Sequence, residues 1–202
     1  MANRYAVASG LWSAPGTWDG GVSVPSAADV VRPNGFTVTI DQSIDVTTLT
    51  NNAQAPAVAG GTFQLLEANY PVGGITINAD LLRQTGPVAG QILLLNGSLT
   101  KQLTIVGNIT HTDNIAASYV IQQTTVTNTY PAITITGNIT HNPGTATAST
   151  ACIYIAGIVT SFTVTGDIDM MAGGGNAINR PRSSNSDTTA QLFTVNGNVK
   201  AT

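Results

Sequence analysis

The acidic residues are the first candidates for chemistry, because two carboxylates beside a sugar-sized groove can hydrolyse a glycosidic bond. Asp167 and Asp169 lie two residues apart, and Asp41 and Asp45 form a looser pair. Residues two apart on a strand face the same side of the sheet, so the first pair would present its carboxylates together. Asp167, however, stands where other copies of a repeated motif have Asn. We therefore predict a structural role for it, and no catalytic residue in the chain.

The two histidines are the next candidates, because imidazole is a common metal ligand. His111 and His141 end two copies of the same motif, whereas the corresponding residue of the next copy is Met170. Zinc needs three or four protein ligands, so this pair does not predict a metal site, and we expect a surface ladder of two rings instead. The single cysteine, Cys152, lies in an apolar run and is expected to be a buried structural thiol. No phosphate-binding loop or nucleophile elbow occurs, so we predict no cofactor.

The motif is an alternating segment centred on glycine, and it recurs about every 30 residues, a period typical of stacked coils. Its copies span 103–111, 133–141, 162–169 and 193–199. A weaker copy at 75–81 has Ala79 in the glycine position. We predict that the glycines mark corners of the chain and that the Asn or Asp after each glycine stacks into a row. The corners are Gly107, Gly137, Gly166 and Gly197, and the row is Asn108, Asn138, Asp167 and Asn198.

Within each copy, apolar residues alternate with Thr and Asn, which is the pattern of a strand with one buried face. No segment shows the spacing of an amphipathic helix. The sequence therefore predicts an all-β fold, a right-handed parallel β-helix of roughly five coils. The alternative is a sandwich of hairpins, but its strands would recur every 8–12 residues or so, far more often than this motif.

The first 35 residues differ from the rest because they hold both tryptophans, Trp12 and Trp18. An open end of a β-helix exposes apolar side chains and unpaired backbone, so we predict that 1–35 is a cap to which Asp29 also contributes structurally. The β-helix itself would then occupy 36–202. A sugar-stacking platform built on the two indoles is the alternative. The last motif is followed by no capping segment, so we expect either that the last coil stacks on a partner or that the chain is the ordered base of a longer protein.

A family resemblance rests on the order Trp, Thr-Trp, Gly-Gly, Pro, Asp-Val, Gly and Thr-Val-Thr-Ile-Asp at the start of the chain. This order resembles the opening of phage virion proteins that continue into β-helices, including tail fibres, spikes and other appendages. It is also similar to the domain named for its eight glycines, found in some cell-surface β-helix proteins. The resemblance covers roughly the first quarter of the chain, implies a virion or extracellular structure, and carries over no catalytic residue.

The composition excludes some classes of binding partner. Only 8% of the 202 residues are charged and the net charge is −3, so no basic stripe is present to bind nucleic acid. The apolar runs are too short for a membrane helix, and the start lacks the apolar segment of an export signal, which favours a virion over a secreted adhesin. We expect other virion proteins to bind through the cap or the open C-terminal coil. A homo-oligomer is also expected, with a trimer as the form that β-helical appendages often take.

The sequence thus predicts a non-enzymatic structural protein of a tailed phage, located in the virion and extracellular after release. Within the virion, a tail fibre or spike base is the preferred placement, followed by a capsid decoration or head fibre. The alternative is a surface or secreted adhesin or depolymerase that binds glycans along the coils. In the loop near the C-terminus, Arg180 and Arg182 are expected to be solvated, with contact to a neighbouring subunit or to an acidic glycan as the alternative.

Overall fold

The structure is a computed structural model in which strands account for most of the chain. It describes residues 2–52, 60–84, 90–97, 99–112, 115, 118–123, 129–142, 151–170, 176–179 and 192–201. Within these ranges no α-helix occurs, and the helical elements are two 3₁₀ turns, Pro15–Thr17 and Glu67–Asn69. It follows that no described helix is long and apolar enough to cross a membrane.

Strands of the described chain follow one another around successive coils. They are β1 Ala2–Tyr5, β2 Gly10–Leu11, β3 Asp29–Arg32, β4 Thr37–Thr39, β5 Ile44–Thr50, β6 Thr62–Leu66, β7 Ile75–Arg83, β8 Gly90–Asn96, β9 Leu103–Val106, β10 Ile109–His111, β11 Ser118–Gln123, β12 Thr129–Thr136, β13 Ile139–His141, β14 Ala151–Ile155, β15 Ile158–Thr165, β16 Ile168–Met170, β17 Asn176–Asn179, β18 Leu192–Asn196 and β19 Val199–Ala201. Neighbouring strands pair in parallel throughout, for example β12 with β15 and β11 with β14. The predicted parallel β-solenoid of about five coils is confirmed.

Two sheets run along the solenoid. The larger has the order β18-β15-β12-β9-β7-β10-β13-β16-β19, with β5, β3 and β1 continuing beyond β7. The smaller has the order β17-β14-β11-β8-β6-β4-β2. The position of β7 in the middle of the larger sheet has a simple cause: this nine-residue strand pairs with β9 through its first half and with β10 through its second half. Later coils divide the same path into two shorter strands at the glycine.

The register places equivalent residues of the motif directly above one another. Leu103 pairs with Ile133, which pairs in turn with Phe162 and then Phe193 in the last coil. Inward residues of the motif are buried in β9, β12 and β15, where the outward residues are Thr or Val, whereas Phe193 of β18 is 49% exposed. Each fully buried Ile, Leu or Phe contributes roughly 1.5–3 kcal/mol of transfer free energy. The apolar column inside the coils is therefore the main source of stability.

The N-terminal segment adds strands to both sheets. Strand β1 pairs with β3, and β2 pairs with β4. Trp12 and Trp18 belong to the same apolar core as Phe63 of β6. The segment thus lies on the end of the solenoid and continues its hydrogen bonding, while the boundary between 1–35 and 36–202 stays a prediction.

Candidate functional site

Glycine is required at the corners because the backbones of two successive coils approach closely there. Gly107, Gly137 and Gly166 have φ of +150°, +148° and +146°, a backbone conformation that side chains disfavour. A Cβ on any of them would also press against the backbone carbonyl of the corner residue one coil earlier. Gly197 shows the same close approach, to the carbonyl of Gly166. In the earlier coil Ala79 occupies this position, and β7 passes through it without a break.

The residue after each corner forms a ladder that we call the Asx ladder, made of Asp80, Asn108, Asn138, Asp167 and Asn198. In each step a side-chain oxygen accepts a hydrogen bond from the backbone N–H of the equivalent residue in the next coil. The N···O distances are 2.8 Å from Asn108 to Asp80, 3.0 Å from Asn138 to Asn108, 2.9 Å from Asp167 to Asn138 and 2.8 Å from Asn198 to Asp167. The ladder therefore joins five successive coils through side chain and backbone. Side-chain amides bond along the row as well, from Asn108 to Asp80 at 3.3 Å and from Asn198 to Asp167 at 3.0 Å.

Asp167 is held as an ionised acceptor. Hydrogen bonds from the backbone and side chain of Asn198 lower the pKa of this carboxyl, and Lys200 adds an ion pair at 3.4 Å. A general acid needs the opposite shift, a pKa raised toward neutrality. Its environment therefore fits a ladder position and does not fit proton donation to a leaving group.

Asp41 and Asp45, the second acidic pair, each bond to a different residue of the fold. Asp41 accepts hydrogen bonds from the backbone N–H and hydroxyl of Ser13, at 3.0 and 2.5 Å, and so ties the N-terminal segment to the next coil. Asp45 accepts a bond of 2.8 Å from the Asn78 side chain. These contacts join neighbouring coils, and neither carboxylate faces the other across a groove.

A shallow groove of about 300 Å³ follows the Asx ladder on the outer surface of the solenoid. Its lining residues are Thr48, Asp80, Leu81, Leu82, Asn108, Thr110, Asn138 and Thr140. Hydroxyls and amides of this kind can hydrogen-bond to a sugar. The lining has a single carboxylate, that of Asp80, and one of its oxygens already accepts from Asn108. The groove therefore lacks the pair of carboxylates that glycoside hydrolysis requires.

The two histidines are inside the solenoid, so the predicted surface ladder is wrong. Their side chains are 0% and 1% exposed, and the rings stack with centroids 4.9 Å apart. His111 and His141 follow the buried Ile109 and Ile139 by two residues, and residues two apart on a strand share a face. The alternation that correctly identified the buried isoleucines thus applied to the histidines as well, although they are polar.

A buried polar chain links these rings to neighbouring strands. The Nδ1 atoms of His111 and His141 are 3.1 Å apart, and His111 Nε2 lies 2.9 Å from the hydroxyl of Ser118. The same hydroxyl accepts a bond of 2.8 Å from Nε of Arg83. Burial lowers the pKa of His141 to about 4, so this ring is neutral at physiological pH. Sequence reasoning missed Arg83 and Ser118, whose positions on inward-facing parts of their strands were the available signal.

The buried chain does not amount to a metal centre. No cluster of three or more His, Cys, Asp or Glu residues occurs within the part of the chain that the structure describes. Cys152 is 0% exposed, as expected, and burial raises the pKa of its thiol, so this sulfur is protonated and inert.

The tryptophans are buried anchors of the N-terminal segment. Trp12 and Trp18 are 1% and 0% exposed, pack edge to face at 4.8 Å, and are joined by a bond from Trp18 Nε1 to the carbonyl of Trp12. Because neither ring face is open, a sugar-stacking platform is not formed. Asp29, also buried, accepts a bond of 2.8 Å from the N–H of Ser26 and fixes the turn into β3.

Three apolar side chains in the described part of the C-terminal coil are exposed. Leu192, Phe193 and Val199 are 64%, 49% and 60% exposed. A hollow of about 230 Å³ next to them is lined by Ile155, Val159, Phe162, Ile178 and Phe193. Arg180 and Arg182, the predicted partner contacts, lie outside the described residues.

Comparison of the chain with protein-family models, with curated proteins and with solved structures finds no match.

Proposed function

We propose that this chain is a non-enzymatic structural protein of a tailed-phage virion, a β-solenoid whose role is mechanical. The observation that carries the proposal is the Asx ladder, which joins five successive coils by one repeated hydrogen bond. Together with the parallel sheets, it makes a short rod in which each coil is bonded to the next. The resemblance of the first residues to phage appendage proteins supports the virion as its location.

A tail fibre or spike base is the placement we prefer, with a capsid decoration or head fibre as the other. In either position the protein would be fixed through one end and hold a partner at a set distance. Its surface suits this role, since only 8% of the residues are charged and the polar groups are mostly hydroxyls and amides. We propose no cofactor, because the site chemistry requires none.

The second candidate is a glycan-binding adhesin or depolymerase, which the outer groove of about 300 Å³ favours. A binding role needs only the hydroxyls and amides of Thr110, Asn108 and their neighbours. Hydrolysis is disfavoured by the single carboxylate of the groove and by the lowered pKa of Asp167. Of these two candidates, we therefore favour the glycan-binding adhesin over the depolymerase.

Labelling of purified phage particles with gold-conjugated antibodies against this chain tests the proposal. Particles of the phage that encodes it should carry label at the tail or at the head, which also decides between the two placements. Lack of the protein from purified particles would overturn the proposal.

Incubation with the capsular polysaccharide of the host, followed by an assay for new reducing ends, tests the enzyme alternative. We expect no product. Product formation that is lost in Asp167→Asn, a variant that keeps a ladder oxygen, would establish the depolymerase instead.

A further inference from the structure

The rings of His111 and His141, which we call the imidazole pair, meet inside the solenoid through one nitrogen each. Their Nδ1 atoms are 3.1 Å apart, a distance at which one nitrogen donates a hydrogen bond and the other accepts it. A neutral imidazole carries one N–H and one bare nitrogen, so two neutral rings supply both partners of this bond. The side-chain contact between the coils of β10 and β13 is therefore made by two uncharged rings.

The second ring nitrogen of His141 differs from that of His111. Nε2 of His111 lies 2.9 Å from the hydroxyl of Ser118, whereas Nε2 of His141 has no hydrogen-bond partner among the described residues, and this side chain is 1% exposed. A protonated imidazole donates from both nitrogens. Protonation of His141 would thus place a cation and an unbonded N–H in the core. Both are unfavourable in a site that water does not reach.

The described strands around the imidazole pair bring few ionisable groups toward it. Strand β7 contributes Arg83, which bonds to the same Ser118 hydroxyl, and β14 contributes the buried thiol of Cys152. Tyr119 of β11 and Tyr154 of β14 contact each other and lie outside the apolar core. In β16, Asp169 alternates with inward residues and faces outward, and β17 has no ionisable residue. No carboxylate of these strands stabilises a protonated ring.

The strands that carry the imidazole pair are among the shortest in the larger sheet. β10 and β13 have three residues each, whereas β12 and β15 have eight. Beyond these short strands, the N–H of Asn142 donates to the carbonyl of His111 at 2.8 Å and continues the pairing. Separation of this stretch breaks few hydrogen bonds, so local opening here costs less free energy than unfolding of the whole sheet.

We propose that the imidazole pair is a pH-sensitive switch between the coils of β10 and β13. While both rings are neutral, they hold the two coils together. When His141 takes up a proton from solvent, the short strands separate and the ring reaches water, while the rest of the solenoid stays folded. The proposal is independent of the proposed virion function, because it rests on the buried contacts of two side chains.

Cys152 is a natural reporter of this opening, because its thiol is 0% exposed and its strand packs against β13. The probe is 4,4′-dithiodipyridine, which reacts with exposed thiols in neutral and acidic buffers. The sulfur of Cys152 forms a mixed disulfide with one half of the probe, and the other half leaves as 4-thiopyridone with the thiol proton. We expect the labelling rate, relative to that of free cysteine at the same pH, to rise about tenfold or more from pH 7 to pH 5.

Two further readouts distinguish local opening from unfolding of the whole chain. The circular dichroism signal should stay that of the folded protein at pH 5. Urea at concentrations too low to unfold the chain should leave the labelling rate unchanged, because local opening exposes little surface. A rate that does not rise in acid would overturn the proposal. So would a rate that increases steeply with urea, since Cys152 would then react only through global unfolding.

Two variants separate the imidazole pair from other ionisable groups. His141→Asn can still hydrogen-bond to His111 but takes up no proton, so the rise in labelling rate should disappear. Asp169→Asn removes an outward carboxylate one coil further on, beside Met170, and should leave the rise intact. Persistence of the rise in His141→Asn, or its loss in Asp169→Asn, would show that another group controls the opening.

Nitrogen NMR of the histidine rings tests the pair in the unmodified chain, without dependence on any variant. At pH 7, one of the two Nδ1 atoms should carry a proton and the other should be bare, because a single hydrogen bond joins them. Spectra in which both Nδ1 atoms are bare, or both are protonated, would contradict the shared bond on which the switch depends.

Discussion

Gly137 has two separate reasons to be glycine, its φ of +148° and the Gly107 carbonyl that a Cβ would meet. We expect Gly137→Ala to lower the free energy of unfolding by about 3 kcal/mol, because it adds backbone strain and forces two coils apart. Gly73→Ala is the control, since its Cβ would enter open space, and it should change that free energy by less than about 0.5 kcal/mol. Denaturant unfolding followed by circular dichroism measures both. Equal losses in the two variants would contradict the corner contact.

His141 gives the fold a dependence on pH. Burial lowers its pKa from 6.5 to about 4, so between these values the unfolded chain binds a proton that the folded chain does not. Stability therefore falls as the pH drops from about 7 to about 4, and the loss is complete below that range. The expected loss is a few kcal/mol, since one pKa unit corresponds to about 1.4 kcal/mol.

His141→Asn should flatten this part of the pH profile, because Asn carries no titrating group while it can still hydrogen-bond to His111. The measurement is the unfolding midpoint of both proteins in buffers across this range. Carboxylates such as Asp167, whose pKa is lowered, contribute to the free energy of unfolding until the pH is more acidic than this range. Their titration therefore does not obscure the difference between the two proteins. A wild-type profile that is flat from pH 7 to 4 would show that His141 is not buried as a neutral ring.

At the scale of elements, the Asx ladder holds coil to coil. Asn138 accepts the backbone N–H of Asp167 at 2.9 Å, so Asn138→Ala leaves that N–H to solvent. We expect a loss of about 1 kcal/mol in unfolding free energy, the usual net value of a hydrogen bond. Asn142→Ala, in the same coil but outside the ladder, should cost less than about 0.5 kcal/mol. Thermal unfolding of the two variants measures both losses. A larger loss in Asn142→Ala than in Asn138→Ala would contradict the role of the ladder.

The distribution of charge along the ladder also has a physical reason. Asp80 and Asp167 are separated by Asn108 and Asn138, so no two carboxylates occupy neighbouring coils. Like charges in adjacent positions of a sheet repel each other. An Asn in each intervening position supplies the same accepting oxygen without the charge.

The repeat was sufficient to predict the strands, the corners and the stacking, because its period and alternation are local patterns in the chain. Gly107 and Gly137 lie in adjacent coils as expected. The hydrogen bonding of Arg83 and Ser118 was not predictable in the same way. These residues are 35 positions apart, and only the folded coil brings them together.

The histidines show a different source of error. Their alternation with the buried isoleucines indicates an inward position, and the surface assignment was wrong. A buried polar residue is tolerated where partners satisfy it, and the partner of His111, Ser118, lies on the next strand of the coil. Ala79 is a similar case: the sequence identified it as a weak copy of the corner, yet β7 runs through it unbroken.

For the whole molecule, the structure is a continuous solenoid with two unlike ends. The N-terminal segment holds buried tryptophans and the ion pair of Arg4 with Asp19, whereas the described residues of the C-terminal coil include exposed apolar side chains. In the function that we propose, this solenoid is a scaffold fixed through one end.

The stacking of successive coils is most directly tested by electron paramagnetic resonance distances between pairs of spin labels. One label is attached at Asp45→Cys, and the other at Val106→Cys, Thr136→Cys or Thr165→Cys, which stand two, three and four coils away in one register row. In a parallel solenoid the distance should grow by about 4.8 Å with each coil, the spacing of paired strands. Distances that fail to increase in this order would contradict the solenoid.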